Sequence, residues 1–226
     1  MSSRIQEEEI IDNTAEGTGR IEAFSDGVIA IAITLLILEI KVPQTKEGET
    51  GHLLESLFKL WPSYGGYFTS FLVIGIIWIN HHQMYKLIER TNHAFLALNV
   101  LFLMIVSFIP FPTAVLAESI RDGHEQQAAV IFYAGVMWAM AIAYNILWRY
   151  AKNKRHRLID QKVSPLLLKG IMQKYNMGLL LYAVAFGLAF ISYEVSLGLI
   201  VFLALYFLSP GLPGLTRATD AKSPSS

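Results

Sequence analysis

Acidic and imidazole side chains interrupt two apolar stretches of this sequence. Glu22 and Asp26 stand in the stretch 20–40, RIEAFSDGVIAIAITLLILEI, and His81 and His82 follow the run IIWIN. Such groups can transfer protons, bind cations or pair with one another. Adjacent histidines on a helix point about 100° apart, so they are poorly placed to hold one metal ion together. We therefore interpret these residues as a structural polar cluster rather than a catalytic or metal site.

The overall composition is that of a membrane protein. Of the 226 residues, 54% are hydrophobic and 16% are charged, and the mean hydropathy is +0.44, which is unusual for a soluble domain. The net charge is zero, so there is no bulk electrostatic reason to bind nucleic acid. The chain has no cysteine, which excludes disulfides, thiolate metal sites and cysteine nucleophiles.

Six stretches suggest transmembrane helices, each of which needs ~20 mostly apolar residues. They are residues 21–40, 61–80, 95–116, 128–148, 171–191 and 195–208. The last is short, and Tyr193 and Glu194 should form a tight turn before it. The predicted fold is an all-α integral membrane protein with a six-transmembrane-helix bundle. We expect an N-terminal segment over residues 1–19, a membrane domain over 20–209, and a disordered tail over 210–226.

The basic residues predict the orientation in the membrane. The 18 Lys and Arg residues all fall on the side of the two termini, with the exception of Lys41, Lys46, Lys59 and Arg121. We therefore expect a multi-pass protein of the cell (plasma) membrane with both termini in the cytoplasm. The densest basic group lies in the loop 149–169, and we interpret it as a topology signal rather than a nucleic-acid or lipid site.

The first helix has two possible starts. If Ser25 or Asp26 caps a helix that starts at Gly27, too few residues remain for ~30 Å of hydrocarbon. We favour a start near Gly17 or Gly19, which puts Asp26 inside the membrane or at its inner edge. An ionisable group there normally faces the protein interior and has a partner.

A helical wheel separates two faces of this helix. One face is a stripe, which consists of Phe24, Gly27, Ile31, Leu35 and Leu38. Glu22 and Asp26 lie roughly opposite the stripe. The acidic face should turn into its own bundle, so the stripe must meet another part of the bundle, lipid, or a copy of itself.

The second helix offers partners for Asp26. It enters from the opposite side, so its last residues reach the depth of residues 20–26. The polar side chains at that end are Trp78, Asn80, His81 and His82. All of them can donate a hydrogen bond to a carboxylate or to a serine hydroxyl.

These residues resemble a known family. The string Arg20-x-x-x-Phe24-Ser25-Asp26-Gly27 is similar to the signature of the endolysosomal potassium channel family, in its prokaryotic form with one six-helix unit per chain. The further matches are Trp78, Asn80, His81 and His82 on helix two and the segment 108–113, FIPFPT, on helix three. The likeness covers all six predicted helices, and it implies that the signature holds helix one against helices two and three.

The resemblance also implies a homotetrameric, potassium-permeable cation channel in which helix one lines a central pore. Its constriction and hydrophobic gate would consist of Ile31, Leu35 and Leu38, three members of the stripe. Thr34 borders the stripe, and its hydroxyl either meets a passing ion or bonds back to its own helix. Glu39, at the outer end, either attracts cations or pairs with Lys41 or solvent.

The same resemblance implies no T-V-G-Y-G filter, no cofactor and no enzymatic activity. The expected partners are other copies of the chain, membrane lipid, and potassium and other monovalent cations as permeants. The segment 63–67, SYGGY, is faintly similar to that filter but has the wrong order. We interpret it as small residues that ease helix packing.

Two other function classes remain open. In a proton-coupled secondary transporter, Asp26, His81 and His82 would titrate during transport. Such proteins often have broken helices or repeats, and the sequence shows neither clearly. A membrane-embedded enzyme would need clustered carboxylates and histidines at helical spacing, which the sequence lacks.

Overall fold

Helices make up nearly all of the described chain. The computed structural model describes residues 2–43, 53–160 and 162–208, with side chains described from residue 18 onward. The helices are α1 (Ser2–Leu35), α2 (Leu53–Lys59), α3 (Trp61–Tyr85), α4 (His93–Phe108), α5 (Pro110–Asp122), α6 (Gln126–Ala151), α7 (Pro165–Ala189) and α8 (Tyr193–Leu208). A 3-10 turn, Leu36–Glu39, extends α1. The predicted all-α class is confirmed, and the short α2 was not predicted.

Four helical stretches in the described ranges are long and apolar enough to cross a membrane. They are Thr18–Glu39, Trp61–Tyr85, His93–Asp122 and Gln126–Ala151, and they correspond to the first four predicted spans. α8 is apolar but shorter, and α7, although 25 residues long, is not among the four. The fifth and sixth spans therefore stay predictions.

The first helix begins earlier than expected. α1 starts at Ser2, runs through both Gly17 and Gly19, and continues past Asp26. A helix that starts only at Gly27 is therefore excluded, and Asp26 lies within a continuous helix. The predicted boundary between residues 19 and 20 falls inside α1.

Local sequence signals account for several helix starts. The side chain of Asn92 accepts a hydrogen bond from the backbone N–H of Phe95 at 2.9 Å and so caps α4. Ser164 caps α7 by accepting from the N–H of Leu166 at 3.3 Å. Pro165 follows it, at a position where a helix needs no N–H donor.

The third predicted span, 95–116, is confirmed as one membrane-capable stretch, but it consists of two helices rather than one. α4 ends at Phe108 and α5 begins at Pro110, with only Ile109 between them. Proline has no N–H to donate to the preceding turn, so it ends one hydrogen-bond ladder and starts the next. Because Ile109 keeps helical torsion angles, α4 and α5 together still form one candidate span.

The turn between α7 and α8 lies at residues 190–192, not at Tyr193 and Glu194 as predicted. Both of those residues belong to the first turn of α8. Ser192 precedes them, and its Oγ accepts from the N–H of Val195 at 3.3 Å. Acidic residues are favourable in a first helical turn, which agrees with the position of Glu194 inside α8 rather than in the loop.

α6 occupies the centre of the bundle. It packs against α4, α5, α7 and α8. Its fully buried large side chains include Tyr133, Met137, Leu147 and Trp148. α1 lies at the edge, against α3 and α4, and one of its faces is exposed.

Two basic segments lie at the same end of the bundle. Ile88, just after α3, forms a backbone bridge with Ile159, in the loop between α6 and α7. This bridge and the hydrogen bonds beside it bring residues 87–90 next to residues 158–160, which agrees with the grouping of charges in the sequence. The cytoplasmic location of this end stays a prediction, and the predicted tail 210–226 lies outside the described residues.

Candidate functional site

α1 has one buried face and one exposed face. The buried face consists of Ser25, Ile29, Ala32 and Leu36, which recur at helical spacing and are at most 2% exposed. The exposed stripe includes Phe24, Ile31, Leu35 and Leu38, which are between 40% and 63% exposed. Of the three environments that the sequence left open for the stripe, burial in its own bundle is therefore excluded, and lipid or another copy of the chain remains.

The acidic residues of α1 face α3. Trp78 donates from Nε1 to Oδ1 of Asp26 at 3.0 Å. Nδ1 of His82 lies 2.8 Å from Oε1 of Glu22. The rings of Trp78 and His82 are one helical turn apart and stack with their centroids 5.9 Å apart. Because both pairs are only partly shielded, each should contribute on the order of 1 kcal/mol or less.

A fully buried hydrogen-bond chain behind these pairs joins α1, α3 and α4. Asn99 of α4 donates from Nδ2 to Oγ of Ser25 at 2.9 Å. Nε2 of His81 lies 3.0 Å from Oδ1 of Asn99, an oxygen that can only accept, so the network assigns the proton to Nε2. Ser25, His81 and Asn99 are each at most 1% exposed. Buried polar groups of this kind fix the relative position of the three helices.

Asn99 was missed from the sequence, although a signal was present. It is the one strongly polar residue in the apolar run 94–106, AFLALNVLFLMIV. A lone amide in an apolar helix requires a partner. The sequence predicts the helix that carries Asn99, but it does not show that Asn99 lies at the same depth in the membrane as Ser25.

Asn80 does not join the cluster around Asp26, contrary to the prediction. Its Nδ2 donates to the carbonyl of Ile76 at 2.9 Å, and its Oδ1 accepts from Nζ of Lys174 in α7 at 3.3 Å. A shift of two positions along a helix turns a side chain by about 200°. Asn80 therefore faces away from α1 while Trp78 faces toward it.

The remaining signature residues, Arg20 and Gly27, are both exposed. A Cβ added to Gly27 would meet nothing within 4 Å, so the protomer packing does not require glycine there. Their roles in the signature stay predictions.

Thr34 and Glu39, which flank the stripe, both form local contacts. Oγ1 of Thr34 lies 2.9 Å from the carbonyl of Ile31 and 3.0 Å from that of Ala30. A hydroxyl that donates its hydrogen to the backbone keeps its lone pairs, so Thr34 can still contact a cation. Glu39 pairs with Lys41, with Oε2 and Nζ 3.9 Å apart.

A second buried polar group, not foreseen from the sequence, involves the FIPFPT segment. Oγ1 of Thr113 donates to the carbonyl of Ile109 at 2.8 Å and lies 2.7 Å from Oγ of Ser70. Ser70 in turn lies 2.9 Å from the hydroxyl of Tyr133. These bonds join α3, α5 and α6. Single hydroxyl residues in apolar helices are common, so their spacing alone could not have identified this group.

The titratable residues of the transporter alternative have separate partners. Asp26 accepts from Trp78, whereas His81 pairs with Asn99. Within the described part of the chain, no three His, Asp or Glu side chains are grouped so that they could hold a metal ion.

The fold and this site define an all-α membrane protein whose first helix is anchored by polar contacts and exposes an aliphatic stripe. A family model described as "Endosomal/lysosomal potassium channel TMEM175" matches residues 20–110. The chain is 52% identical over 190 residues to a potassium channel of Chamaesiphon minutus, which covers 84% of this chain and 93% of that protein. It is 44% identical over 206 residues to a potassium channel of Streptomyces collinus, with 91% and 98% coverage.

A solved structure gives the same result. The crystal structure of a lysosomal potassium-selective channel TMEM175 homolog from Chamaesiphon minutus matches with a TM-score of 0.76 and 49% identity. The match covers 85% of this chain and 97% of that one. The chain belongs to the TMEM175 family, and the predicted family is confirmed. Its relatives are ion channels, not enzymes.

Proposed function

We propose that this protein is a potassium-permeable cation channel of the cell membrane, formed by four copies of the chain. In this assembly α1 of each copy lines a central pore. The relatives named as potassium channels support the activity. The observation that carries the pore assignment is the stripe on α1, which the protomer leaves exposed although its residues are large and apolar.

The polar anchor explains why the stripe has a defined direction. Asp26 and Glu22 bond to α3, and Ser25 bonds to α4, so α1 is held from two sides and cannot turn freely about its axis. Every copy therefore presents the stripe away from its own bundle. A row of apolar residues with one fixed direction is what four copies need to form rings around a common axis.

The constriction would consist of rings of Ile31, Leu35 and Leu38. Aliphatic side chains give no oxygen to a dehydrating ion, and a narrow apolar ring can close a pore by expelling water. Opening then requires the four α1 helices to move apart, or to rotate together with the bundles that hold them. Selectivity would follow from size and dehydration, which favours potassium because it holds its hydration shell less tightly than sodium does.

The other parts of the chain complete this arrangement. We propose that α7 and α8 form the fifth and sixth spans, so that residues 20–209 make a six-helix channel domain with both termini in the cytoplasm. Thr34, whose hydroxyl oxygen keeps free lone pairs, would offer a contact to passing cations beside the constriction. Glu39 would add negative charge at the outer mouth, reduced by its pairing with Lys41.

Ion-replacement recordings test the pore assignment. Purified protein in planar bilayers should carry potassium currents, and Ile31→Asn, Leu35→Asn or Leu38→Asn should raise the conductance or change the selectivity, because an amide wets the ring. The matched control is Leu180→Asn on α7, which is 63% exposed but lies outside the stripe and should leave both unchanged. Normal wild-type currents with three unchanged stripe variants would show that the stripe does not line the pore.

Cysteine cross-linking tests the assembly. The chain has no cysteine, so a single Leu35→Cys substitution gives a clean background. Oxidation should link copies of the chain, since facing cysteines around a narrow axis can approach the Cα separation of ~4.4–6.8 Å that a disulfide needs. Monomers only, in a sample that still carries current, would argue against a central position of Leu35.

A further inference from the structure

Asn80 marks a second polar site, on the opposite side of α3 from the anchor of α1. Its side-chain oxygen accepts from Nζ of Lys174. Lys174 lies nine residues after the start of α7, so it is ~14 Å along that helix from Pro165. The site therefore lies within the helical bundle, near the end where the basic loops meet.

The ammonium group of Lys174 has no carboxylate partner among the described residues. Its hydrogen bond goes to a neutral amide oxygen, and the side chain is half-buried. If α7 is the fifth span, as proposed above, this lysine lies in a membrane segment, where it is costly unless a polar or anionic group meets it. One amide oxygen satisfies only one of its three donors.

A cavity adjoins this lysine, between α3, α6, α7 and α8. Its volume is about 80 Å³, and it is partly open to the outer surface of the protomer. Its apolar lining includes Val73, Ile77, Met140, Leu179 and Phe207. Asn145 also lines the cavity, and its Oδ1 is buried without a hydrogen-bond partner in the described structure. Apolar walls below a cationic group fit an amphiphile with an anionic head.

The charge around the site favours an anionic lipid. The loop between α6 and α7 carries Lys152, Lys154, Arg155, Arg157 and Lys162, and it lies at the same end of the bundle as the last turn of α3. Basic residues at a membrane surface attract anionic headgroups by about 1 kcal/mol each. The cavity is smaller than a lipid, so it would take a short length of one acyl chain while the remainder lies along the open side.

We propose that the cavity beside Lys174 is a binding site for an anionic phospholipid of the leaflet on the side of the basic loop. The phosphate of the lipid meets the ammonium of Lys174, and an acyl chain follows the apolar walls. The lipid would thereby bridge α3 and α7. This site is separate from the stripe of α1, so it does not depend on the pore assignment.

Native mass spectrometry of the detergent-solubilised protein tests this site. The probes are phosphatidylglycerol and phosphatidylcholine with the same acyl chains. The wild-type protein should bind one phosphatidylglycerol per protomer about fivefold or more tightly than phosphatidylcholine, because one lysine–headgroup contact is worth about that factor. Lys174→Gln should bring the ratio of the two lipid affinities close to one. Lys169→Gln, which removes an exposed charge from the same helix, should lower this ratio less than Lys174→Gln does, because Lys169 does not line the cavity.

A second pair of variants tests the cavity without a change in charge. Gly178 lines the cavity, and a Cβ added there meets Phe207 at an ordinary contact distance of 3.8 Å, so the larger side chain of Gly178→Leu should occupy part of the cavity. It should weaken the binding of both lipids. Gly187→Leu is the control, because a Cβ at Gly187 meets nothing within 4 Å and the residue is outside the cavity.

Three results would overturn the proposal. The first is an unchanged lipid ratio in Lys174→Gln together with unchanged binding in Gly178→Leu. The second is that the wild-type protein retains neither lipid, as expected if water alone fills the cavity. The third is that palmitate binds with dependence on Lys174 while phosphatidylglycerol does not, which would assign the site to a carboxylate amphiphile.

Discussion

Substitution of Ser25 by alanine should destabilise the protein by about 1 kcal/mol. The hydroxyl of Ser25 accepts a hydrogen bond from Asn99 at 2.9 Å, and both residues are buried. Alanine removes the acceptor and leaves the amide N–H of Asn99 without a partner, which costs ~1–3 kcal/mol in a protein interior. Side-chain hydrogen bonds between membrane helices are weaker, ~0.6 kcal/mol on average and up to ~1.7. The removed volume is a single oxygen atom, so little cavity cost is added.

A double-mutant cycle isolates this bond from other effects. Asn99→Ala alone should cost more than Ser25→Ala, because it also removes the partner of His81. The double variant should cost less than the sum of the two single variants, by ~0.6–1.7 kcal/mol, since the shared bond can be lost only once. The free energy of unfolding can be measured by titration with sodium dodecyl sulfate in mixed micelles, followed by tryptophan fluorescence.

Ser107→Ala is the matched control for this cycle. Ser107 also lies on α4, but it is exposed and bonds only to the carbonyl of Met104 in its own helix. Its removal should change the free energy of unfolding by less than about 0.5 kcal/mol. If the effects of Ser25→Ala and Asn99→Ala add to within ~0.3 kcal/mol, the two side chains are not coupled and the buried chain does not hold α1.

Two further pairs of substitutions test contacts of α1 and of α3. Asp26→Ala should lower the yield of assembled protein, and it should lower the free energy of unfolding by about 1 kcal/mol. Trp78→Phe should cost a similar amount but add little in the double variant, because both substitutions remove the same hydrogen bond. An unchanged yield and melting temperature for Asp26→Ala would show that Asp26 has no structural role. Gly66→Val should lower the free energy of unfolding by ~1–3 kcal/mol, because a Cβ at Gly66 already lies 3.4 Å from Thr113. Gly65→Val is the control and should cost less than half as much, because a Cβ at Gly65 meets nothing within 4 Å. Equal melting temperatures for the two variants would contradict the close contact at Gly66.

The sequence was sufficient to find the first four spans, because each carries a long apolar run. It also placed Asp26 beside the end of α3, since antiparallel neighbours of equal length bring their opposite ends to one level. It did not show that Pro110 divides the third span, because proline is tolerated inside membrane helices when its neighbours satisfy the backbone. The structure shows that the ladder of hydrogen bonds restarts there.

The assignment of Asn80 was wrong because depth was considered without rotation. Trp78 and His82 are four positions apart and share the face toward α1, whereas Asn80 lies between them in sequence and faces α7. His81 lies about 100° from His82 and reaches α4 instead. The angular positions on a helical wheel are enough to place these residues on different faces of α3. Only the tertiary structure shows which helix lies against each face.

The consecutive residues Phe24, Ser25 and Asp26 likewise have three different environments. Phe24 lies on the exposed stripe, Ser25 is buried against α4, and Asp26 bonds to α3. Steps of about 100° around a helix make this possible. A substitution of Ser25 should therefore disturb the contact with α4, one of Asp26 the contact with α3, and one of Phe24 neither of them.

α1 is also held differently at two levels, around Ser25 and at Leu36, the first residue of the turn that extends it. Around Ser25 it is fixed by hydrogen bonds, whereas at Leu36 it is held by apolar burial alone. Hydrogen bonds weaken steeply when they are misaligned, while apolar attraction is non-directional and depends on the area removed from water. Ser25 and Leu35 are ten residues, or ~15 Å, apart along the axis. In the proposed tetramer, we therefore expect a tilt of α1 that widens the ring of Leu35 to pivot around Ser25, where the directional contacts resist displacement.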